Sequence, residues 1–281
     1  MATKNHHYRS IAEISAMVDA TWQIEANKHR AAGYLTAEAS GSYSLKWFGM
    51  DGGAPAVIAA LRDGFPKGEK MITDLHEKLM GKLPTALGVG RRRVFGMEGD
   101  SLDIHKLNSG NFSQAWESRR RMVKRGNTTL RIVADIGGNS SVSASRLAWR
   151  GVAALCLSEV MTKARYKVEI VAGHSVQSHV DGRRSLKETF TYTIKPAGAA
   201  ADRGVLAAAI CSAGLFRVFG FAAIVRAADD HNKHVDSGLG HSLSLDSDLE
   251  PVDRVTQIVV PHHIDSEDSA ATWVSETVKL L

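Results

Sequence analysis

The hydrophobic and polar positions of the first 125 residues alternate between helical and strand-like spacing. Apolar residues recur at intervals of three and four in three segments, which we predict to be helices: residues 10–21, 55–63 and 68–83. The first of these opens with a capping box formed by Ser10 and Glu13. Apolar runs beside glycine-containing turns predict strands at residues 43–48 and within residues 93–106. We therefore predict a smaller α+β N-terminal region over residues 1–125.

The second half of the chain alternates apolar strand-like runs with helical patterns. The predicted strands are residues 129–136, 167–172, 188–195 and 256–261, and the predicted helices are residues 143–165, 202–213 and 266–281. Residues 216–228 fit either a strand or a helix. This alternation predicts an α/β domain over residues 126–281, built on a doubly wound, mostly parallel sheet. Such sheets bind ligands beyond the carboxyl ends of their strands.

The composition is that of an average globular protein, with 44% hydrophobic and 23% charged residues. The first nine residues contain no apolar run, so we expect no secretory signal. The most apolar segment, residues 205–225, carries Arg217 near its middle and two glycines, Gly214 and Gly220. These residues favour a pair of buried elements over a membrane span. We therefore expect a soluble, cytoplasmic protein that does not engage a membrane.

The two cysteines, Cys156 and Cys211, lie in apolar, helix-like stretches without CxxC or Cys/His spacing. This pattern favours small buried hydrophobic side chains in a reducing compartment over a zinc site or a disulfide.

Charge is distributed unevenly along the chain. Residues 82–125 contain 10 Lys and Arg against 4 Asp and Glu, whereas residues 229–268 contain 10 acids and 2 bases. The basic stretch holds arginine clusters with aromatic residues beside them, Phe112 among them. The predicted nucleic-acid-binding residues are Arg91, Arg92, Arg93, Trp116, Arg119, Arg120, Arg121, Lys124 and Arg125. The alternatives are a solvated face, or a face that docks on the acidic region of the same chain or a neighbour.

The sequence Leu130-Arg-Ile-Val-Ala-Asp135-Ile-Gly-Gly-Asn139-Ser-Ser is followed by a long predicted helix and by Tyr166-Lys-Val-Glu-Ile-Val171. This arrangement resembles the opening of a von Willebrand factor A (vWA) domain, in which an apolar strand ends in the metal-ion-dependent adhesion site Asp-x-Ser-x-Ser. The resemblance covers about half of the chain and implies a vWA/Rossmann-like fold. It also implies a role as a protein–protein adaptor.

The adhesion site is degenerate here, because Asp135 is kept while the two serine positions are Gly137 and Asn139. Mg²⁺ requires several oxygen ligands, and Gly137 removes one of them. Asp135 and Asn139 are the residues that a remaining magnesium site would use, and we expect no cofactor. The alternative is a tight turn in which a serine caps the following helix.

Three histidines follow predicted strands: His174 after the second, and His262 with His263 after the last. With Asp135 they could converge at the carboxyl edge of the sheet as a metal site. The alternative is that they are histidines of surface loops. On the long predicted helix, Arg146 and Arg150 either extend the basic surface or form the exposed edge of that helix.

Residues 40–176 also resemble an uncharacterised group of tailed-phage proteins. The shared features are Trp47-Phe48, the run Arg62-Asp-Gly-Phe-Pro-Lys-Gly68, Glu98-Gly-Asp100 and Trp149-Arg150-Gly151. The resemblance implies a phage protein that works in the cytoplasm of the infected host cell.

The sequence contains no nucleophile elbow, P-loop, GxGxxG motif or paired-carboxylate arrangement, so we expect a binding protein and not an enzyme. The leading hypothesis is that the basic clusters engage nucleic acid from a vWA-like scaffold. The alternative is a protein–protein adaptor or self-assembling subunit, in which basic and acidic regions pair between neighbours. A third hypothesis is a metal-dependent hydrolase built on Asp135, His174 and His262.

Overall fold

The computed structural model describes residues 2–14, 16, 46–80, 89–99, 101–123, 129–139, 141–180, 184–200, 202–229, 241–245, 249 and 252–281. The strands are β1 (Ala2–Tyr8), β2 (Val89–Gly96), β3 (Ser101–Leu102), β4 (Trp116–Val123), β5 (Thr129–Asp135), β6 (Lys167–Val180), β7 (Arg184–Lys195), β8 (His241–Leu243) and β9 (Val255–Val260). The α-helices are α1 (Gly53–Asp63), α2 (Pro66–Met80), α3 (Ile104–Asn108), α4 (Ala144–Lys163), α5 (Arg203–Ile210), α6 (Phe221–Asp229) and α7 (Glu267–Leu280). A 3-10 turn (Phe112–Gln114) and a π-helix (Leu215–Gly220) complete the set.

The main sheet has the strand order β1-β7-β6-β5-β9, with β8 pairing beside them on β6. The pairs β1/β7, β5/β6 and β5/β9 are parallel, and the pairs β6/β7 and β6/β8 are antiparallel. The sheet is therefore mixed, with more parallel than antiparallel pairs, and helices flank it. This confirms the predicted α/β class.

The helices that form the main core pack on one face of this sheet. Residues Phe190, Tyr192 and Ile194 of β7 belong to the same buried cluster as side chains of the helices. On the opposite face, Val133 and Val171 form a separate small cluster with Leu245. Among the described residues, helices on both faces, as a doubly wound sheet would have, are not observed. The second face carries polar side chains, including those of Thr189, Thr191 and Thr193 on β7.

Residues of the predicted N-terminal region join the main body. Strand β1 pairs with β7 over seven residue positions, and buried side chains of α1 and α2, such as Val57, Ile72 and Leu75, lie in the same core cluster as α4, α5 and α7. The boundary predicted at residue 125 does not separate two hydrophobic cores. Strands β2, β4 and β3 form a separate three-stranded sheet in that order.

Several elements differ in extent from the predictions. Strand β6 runs to Val180 instead of ending at residue 172. The segment predicted as a strand at residues 43–48 is helical at residues 46–48, and residues 43–45 lie outside the described residues. Residues 93–106 contain the end of β2, β3 and the start of α3. At the first predicted helix, Ser10 caps the amide of Glu13 at 3.1 Å, and residues 17–21 lie outside the described part.

The apolar segment 205–225 forms most of α5, the π-helix and the first half of α6. Its described side chains are almost all buried in the core. Within the described residues, no single helix has the length and apolar character to cross a membrane. The pair Arg203–Ile210 and Leu215–Ala227 meets the length and composition criteria only as a unit bent by 57°.

Cys156 and Cys211 are free and buried in the core, which confirms the interpretation of both as small buried side chains. Burial raises the pKa of the Cys156 thiol to about 12 and also raises the pKa of Cys211. Neither side chain is therefore poised as a nucleophile, since the thiolate is the reactive form.

Candidate functional site

Two arginine triplets lie side by side in the ribbon that β2 and β4 form. In this antiparallel register, Arg91 stands opposite Arg121, Arg92 opposite Arg120, and Arg93 opposite Arg119. We call these six residues the arginine ladder. Strand β3 pairs only with Trp116 and Glu117 at the start of β4. Among the described residues, the ladder is therefore part of a two-stranded ribbon.

The register concentrates positive charge. Residues directly opposite each other in an antiparallel pair lie on the same face, and like charges in such positions destabilise the pair. In the register, the pair Arg92/Arg120 is flanked by the pairs Arg91/Arg121 and Arg93/Arg119. Glu117 stands opposite Phe95 and Ser101. In the described ribbon, no acidic residue is in register with an arginine.

Exposed apolar side chains lie close to the ladder in sequence. Phe112 is 66% exposed and Trp116 is 38% exposed, so part of each residue is accessible to a partner. Phe95, in contrast, is covered by Lys106, whose Nζ lies 3.0 Å from the ring centroid. The other exposed large hydrophobic side chains of residues 97–116 are Met97, Leu102 and Ile104. Lys124 and Arg125, which were predicted as part of this site, lie outside the described residues.

Acidic residues near the end of the chain form ion pairs within the same molecule. Asp265 accepts a hydrogen bond from the guanidinium of Arg146, with the Nε atom at 3.0 Å. Lys78 contacts both Glu267, at 3.1 Å, and Asp268, at 2.7 Å. These described acids of residues 229–268 therefore have basic partners on α2 and α4.

Asp135, the candidate metal ligand, is buried at the end of β5 and is bound by groups of the protein itself. Its Oδ1 accepts a hydrogen bond from the Gly137 amide at 2.9 Å, and Arg150 Nη1 lies 4.0 Å from the same oxygen. The amide of Leu245 lies 3.4 Å from Oδ2. Arg150 also donates to the Gly137 carbonyl at 2.5 Å. The carboxylate is therefore the acceptor of a buried network between β5, α4 and the β8 region.

Asn139, the second candidate ligand, has its Oδ1 oriented toward the backbone amide of Ser242 at 3.3 Å. A magnesium ion needs a set of oxygen ligands with room for water. Here the carboxylate of Asp135 has a guanidinium beside it, and a side chain at position 137 would lie 2.8 Å from Ser242 Oγ. These residues do not fit a magnesium site. Among the described residues, no group of three His, Cys, Asp or Glu side chains is arranged to hold a metal ion.

His174 lies inside β6 and is fully buried in a stack of rings. Its imidazole stacks on Phe190 at 5.0 Å and on Tyr192 at 5.7 Å, and Phe216 contacts it edge-on. Burial, with a smaller contribution from His6, lowers the pKa of His174 to about 3, so this ring is neutral at physiological pH. His262 and His263 are exposed after β9. His174 is therefore a core residue, whereas the other two occupy a surface loop.

A sequence model of a domain of unknown function, DUF7192, matches residues 2–281 of the chain. The chain belongs to the DUF7192 family. No curated protein matches it, and no solved structure does. The DUF7192 match spans both the arginine ladder and the Asp135 network.

Two buried arginines of this DUF7192 chain were not predicted as structural residues. Arg150, predicted on an exposed surface, is 6% exposed and supports the loop after β5. Arg217 lies in the π-helix, donates to the carbonyls of Trp47 and Val142, and places its guanidinium 3.9 Å over the Trp47 ring. The sequence signal for Arg217 is its position as the lone charge inside an apolar segment. Arg150 has no such signal, because it lies between Trp149 and Gly151 on a helix that also carries Arg146.

Proposed function

We propose that this DUF7192 protein is a non-enzymatic nucleic-acid-binding protein and that the arginine ladder is its contact surface. The observation that carries the proposal is the succession of three arginine–arginine pairs across the β2/β4 ribbon. Such pairs destabilise an isolated ribbon, and no acidic residue in register offsets them. A polyanion would remove this repulsion and release its counterions on binding.

The shape of the ribbon supports the same proposal. The major groove of B-DNA admits a two-stranded β-ribbon, and β-ribbon proteins place such strands in a groove. The exposed rings of Phe112 and Trp116 offer stacking surfaces for unpaired bases. Arginine is also the side chain best suited to phosphate, because its planar donors can bind two oxygens at once.

We further propose that the scaffold is a degenerate vWA-like domain. In its support, β5 ends in Asp135, the long helix α4 follows, and β6 lies beside β5 in parallel. The Asp135 carboxylate is held by Arg150 where the family would hold an ion. The sequence runs shared with tailed-phage proteins support a role in the infected cell.

Fluorescence anisotropy with labelled single-stranded DNA, double-stranded DNA and RNA tests the proposal, at salt concentrations between 50 and 200 mM. If the six arginines neutralise about six phosphates, the slope of log K against log salt is about −5 on double-stranded DNA, so affinity falls about a thousandfold over this range. The charge-reversal variant Arg119→Glu/Arg120→Glu/Arg121→Glu is expected to bind at least a hundredfold more weakly at low salt.

The matched control carries the same change in net charge at exposed sites elsewhere, in the variant Lys67→Glu/Arg254→Glu/Lys279→Glu. It is expected to keep most of the affinity, because a local site is involved and not net charge alone. Absence of binding at 50 mM salt would refute the proposed function. Equal losses in the two triple variants would refute the assignment to the ladder.

A further inference from the structure

The β2/β4 ribbon carries exposed apolar side chains at the end where β3 joins it. In the register, Gly96/Trp116 is the last pair at this end, three positions from the ladder pair Arg93/Arg119, or about 10 Å along the strands. Of the eight large hydrophobic residues that are exposed in the described part of the chain, five lie here, and we call them the apolar end: Met97, Leu102, Ile104, Phe112 and Trp116. Exposed apolar residues that are concentrated in one place mark a binding surface more often than scattered ones do.

The backbone that presents the apolar end is held by its own hydrogen bonds. The Asp103 carboxylate caps α3 by accepting from the amide of Lys106 at 3.3 Å, and the Asp103 amide donates to the carbonyl of Ala115 at 2.7 Å. The amide of Asn111 donates to the Lys106 carbonyl at 2.9 Å. The side chain of Lys106 lies over the ring of Phe95, which joins α3 to β2. A partner therefore meets a surface that is already ordered, which lowers the entropic cost of binding.

Trp116 and Leu102 lie next to each other and are both open to water. They stand opposite each other in the β3/β4 register, and residues in such positions share a face. Trp116 is 38% exposed and Leu102 is 40% exposed. On the other side of Trp116 the opposite residue is Gly96, which has no side chain to cover the indole. Phe112 precedes this pair by one 3-10 turn, in which the Ala115 amide donates to the Phe112 carbonyl at 3.3 Å.

The partner of this surface has to supply negative charge to the arginine ladder and apolar surface to the apolar end. In a duplex the bases stack on one another and expose only their edges and the phosphates, so a duplex on the ladder would leave the apolar end in water. A single strand also exposes the faces of its bases, and these stack on aromatic side chains with little regard to sequence. Single-stranded nucleic acid therefore covers both parts of the surface.

Carboxylates beside the apolar end argue against an anionic bilayer, which would also offer charge and apolar surface. Glu98 is exposed next to Met97, and Glu117 directly follows Trp116. Anionic headgroups repel carboxylates at such short range. An unpaired base, in contrast, can donate a hydrogen bond to a carboxylate from its exocyclic amino group. The charges around the apolar end therefore favour a nucleic acid over a membrane.

We propose that the arginine ladder and the apolar end together bind single-stranded nucleic acid in preference to a duplex. The phosphates lie on the ladder, and unpaired bases stack on Trp116 and Phe112. This inference rests on the proposed function and adds the strandedness of the ligand and the two residues that recognise it.

Competition measurements on the full chain test the preference. A labelled oligothymidylate of about 20 nucleotides is displaced by unlabelled single strands or by a duplex of the same length, at about 50 mM salt, where phosphate contacts are strong. We expect the single strands to bind about tenfold more tightly than the duplex, or better, because only they gain stacking. Equal or tighter binding of the duplex would overturn the preference and leave the proposed function in place. Absence of binding by both forms would refute the proposed function, and this inference with it.

Side-chain variants locate the stacking. Phe112→Ala and Trp116→Ala are each expected to weaken the single strand about tenfold, which is the effect of losing one stacked base, and to leave duplex binding unchanged. Trp116→Phe, which keeps a ring, should restore most of the affinity. The matched control Met80→Ala/Leu280→Ala removes exposed apolar side chains elsewhere, 69% and 87% exposed, and should bind normally. Phe112→Ala removes a ring that is 66% exposed, so it tests the proposal even where Trp116→Ala unfolds the ribbon. Equal losses on single strand and duplex in Phe112→Ala would contradict stacking.

Other partners of the apolar end give different results. Flotation with vesicles of phosphatidylglycerol and phosphatidylcholine, and light scattering of the chain alone, are carried out on the unaltered chain and on Phe112→Ala. We expect no vesicle binding and the same mass for both proteins. Vesicle binding or self-association that Phe112→Ala abolishes would assign the apolar end to a membrane or to a second copy of the chain, and would overturn the proposal.

Discussion

Asp135 and Arg150 are a pair of buried, opposite charges that links β5 to α4. Burial lowers the pKa of Arg150, and the nearby Asp135 opposes that change. Removing one partner of such a pair leaves the other charge buried without compensation, which commonly costs about 3–5 kcal/mol. Replacing both partners with apolar side chains costs much less, because no charge is then left in the core. The stabilities of the single and the double variant therefore distinguish a structural ion pair from a metal site.

We predict that Asp135→Ala lowers the free energy of unfolding by about 3 kcal/mol or more, and that Asp135→Ala/Arg150→Met recovers part of this loss. Urea titrations followed by circular dichroism measure both quantities. Magnesium chloride and EDTA should leave the thermal midpoint of the unaltered chain unchanged. A clear stabilisation by Mg²⁺ that Asp135→Ala abolishes would restore the metal interpretation.

His174 makes stability depend on pH. Its folded-state pKa is about 3, well below the ordinary value of 6.5, so the unfolded chain binds the additional proton. The stabilisation from the neutral ring is complete above pH 6.5 and is lost as the pH falls toward 3. Between these values the loss is about 1.4 kcal/mol for each pH unit. Other titrating groups act in the same range, so a comparison with a variant is needed.

We predict that His174→Phe, which keeps a ring in the stack, gains stability relative to the unaltered chain as the pH falls from about 6.5 to 4. Neither ring nitrogen of His174 has a hydrogen-bond partner among the described residues, so the substitution should also be tolerated at pH 7. Urea unfolding of both proteins at several pH values measures the difference. A difference that stays constant with pH would contradict the buried, neutral state of His174.

At the scale of helices and strands, the sequence carried more information about β7 than the prediction used. Thr189, Thr191 and Thr193 alternate with Phe190, Tyr192 and Ile194, and this period of two is typical of a strand with one polar face. A strand buried between two helix layers is apolar throughout. The predicted α/β class was confirmed because apolar strand runs and helical periods are local signals. The number of helix layers depends on which faces are polar across several strands.

As with the fold, the local sequence features of the candidate site were predicted, but their arrangement in space was not. The two arginine triplets are visible in the sequence, but their pairing depends on the register of β2 against β4, which a local pattern does not give. The contact between Asp135 and Arg150 likewise depends on how α4 packs over the end of β5. Strands β1 and β9, at opposite ends of the strand order of the main sheet, also come from opposite ends of the chain. No local pattern could place them in one sheet.

At the scale of the whole molecule, described residues from the first 80 and from the last 150 positions share one hydrophobic core. Ile14, Ile72, Leu75 and Leu79 lie in one buried cluster with side chains of β5, α4, α5 and α7. Strand β1 supplies the neighbour of β7 at one edge of the sheet. The arginine ladder lies on the separate three-stranded sheet, whose strands do not pair with the main one. We therefore expect the segment that begins at residue 89 to carry the proposed nucleic-acid binding, and the shared core to carry the stability. The boundary predicted at residue 125 does not divide these two properties.

We predict that residues 126–281 alone do not fold cooperatively, because they lose β1 and expose the core surface that α1 and α2 cover. The full chain should unfold in a single transition, since its described helices and main sheet share that core. Replacing residues 89–123 with a short Gly/Ser linker should preserve this transition and abolish nucleic-acid binding. Calorimetry, circular dichroism and limited proteolysis of the three proteins measure these properties.

A cooperative transition of residues 126–281 at the midpoint of the full chain would show that the second half is an independent domain. Loss of folding on removal of residues 89–123 would show that the ladder sheet is part of the folded core.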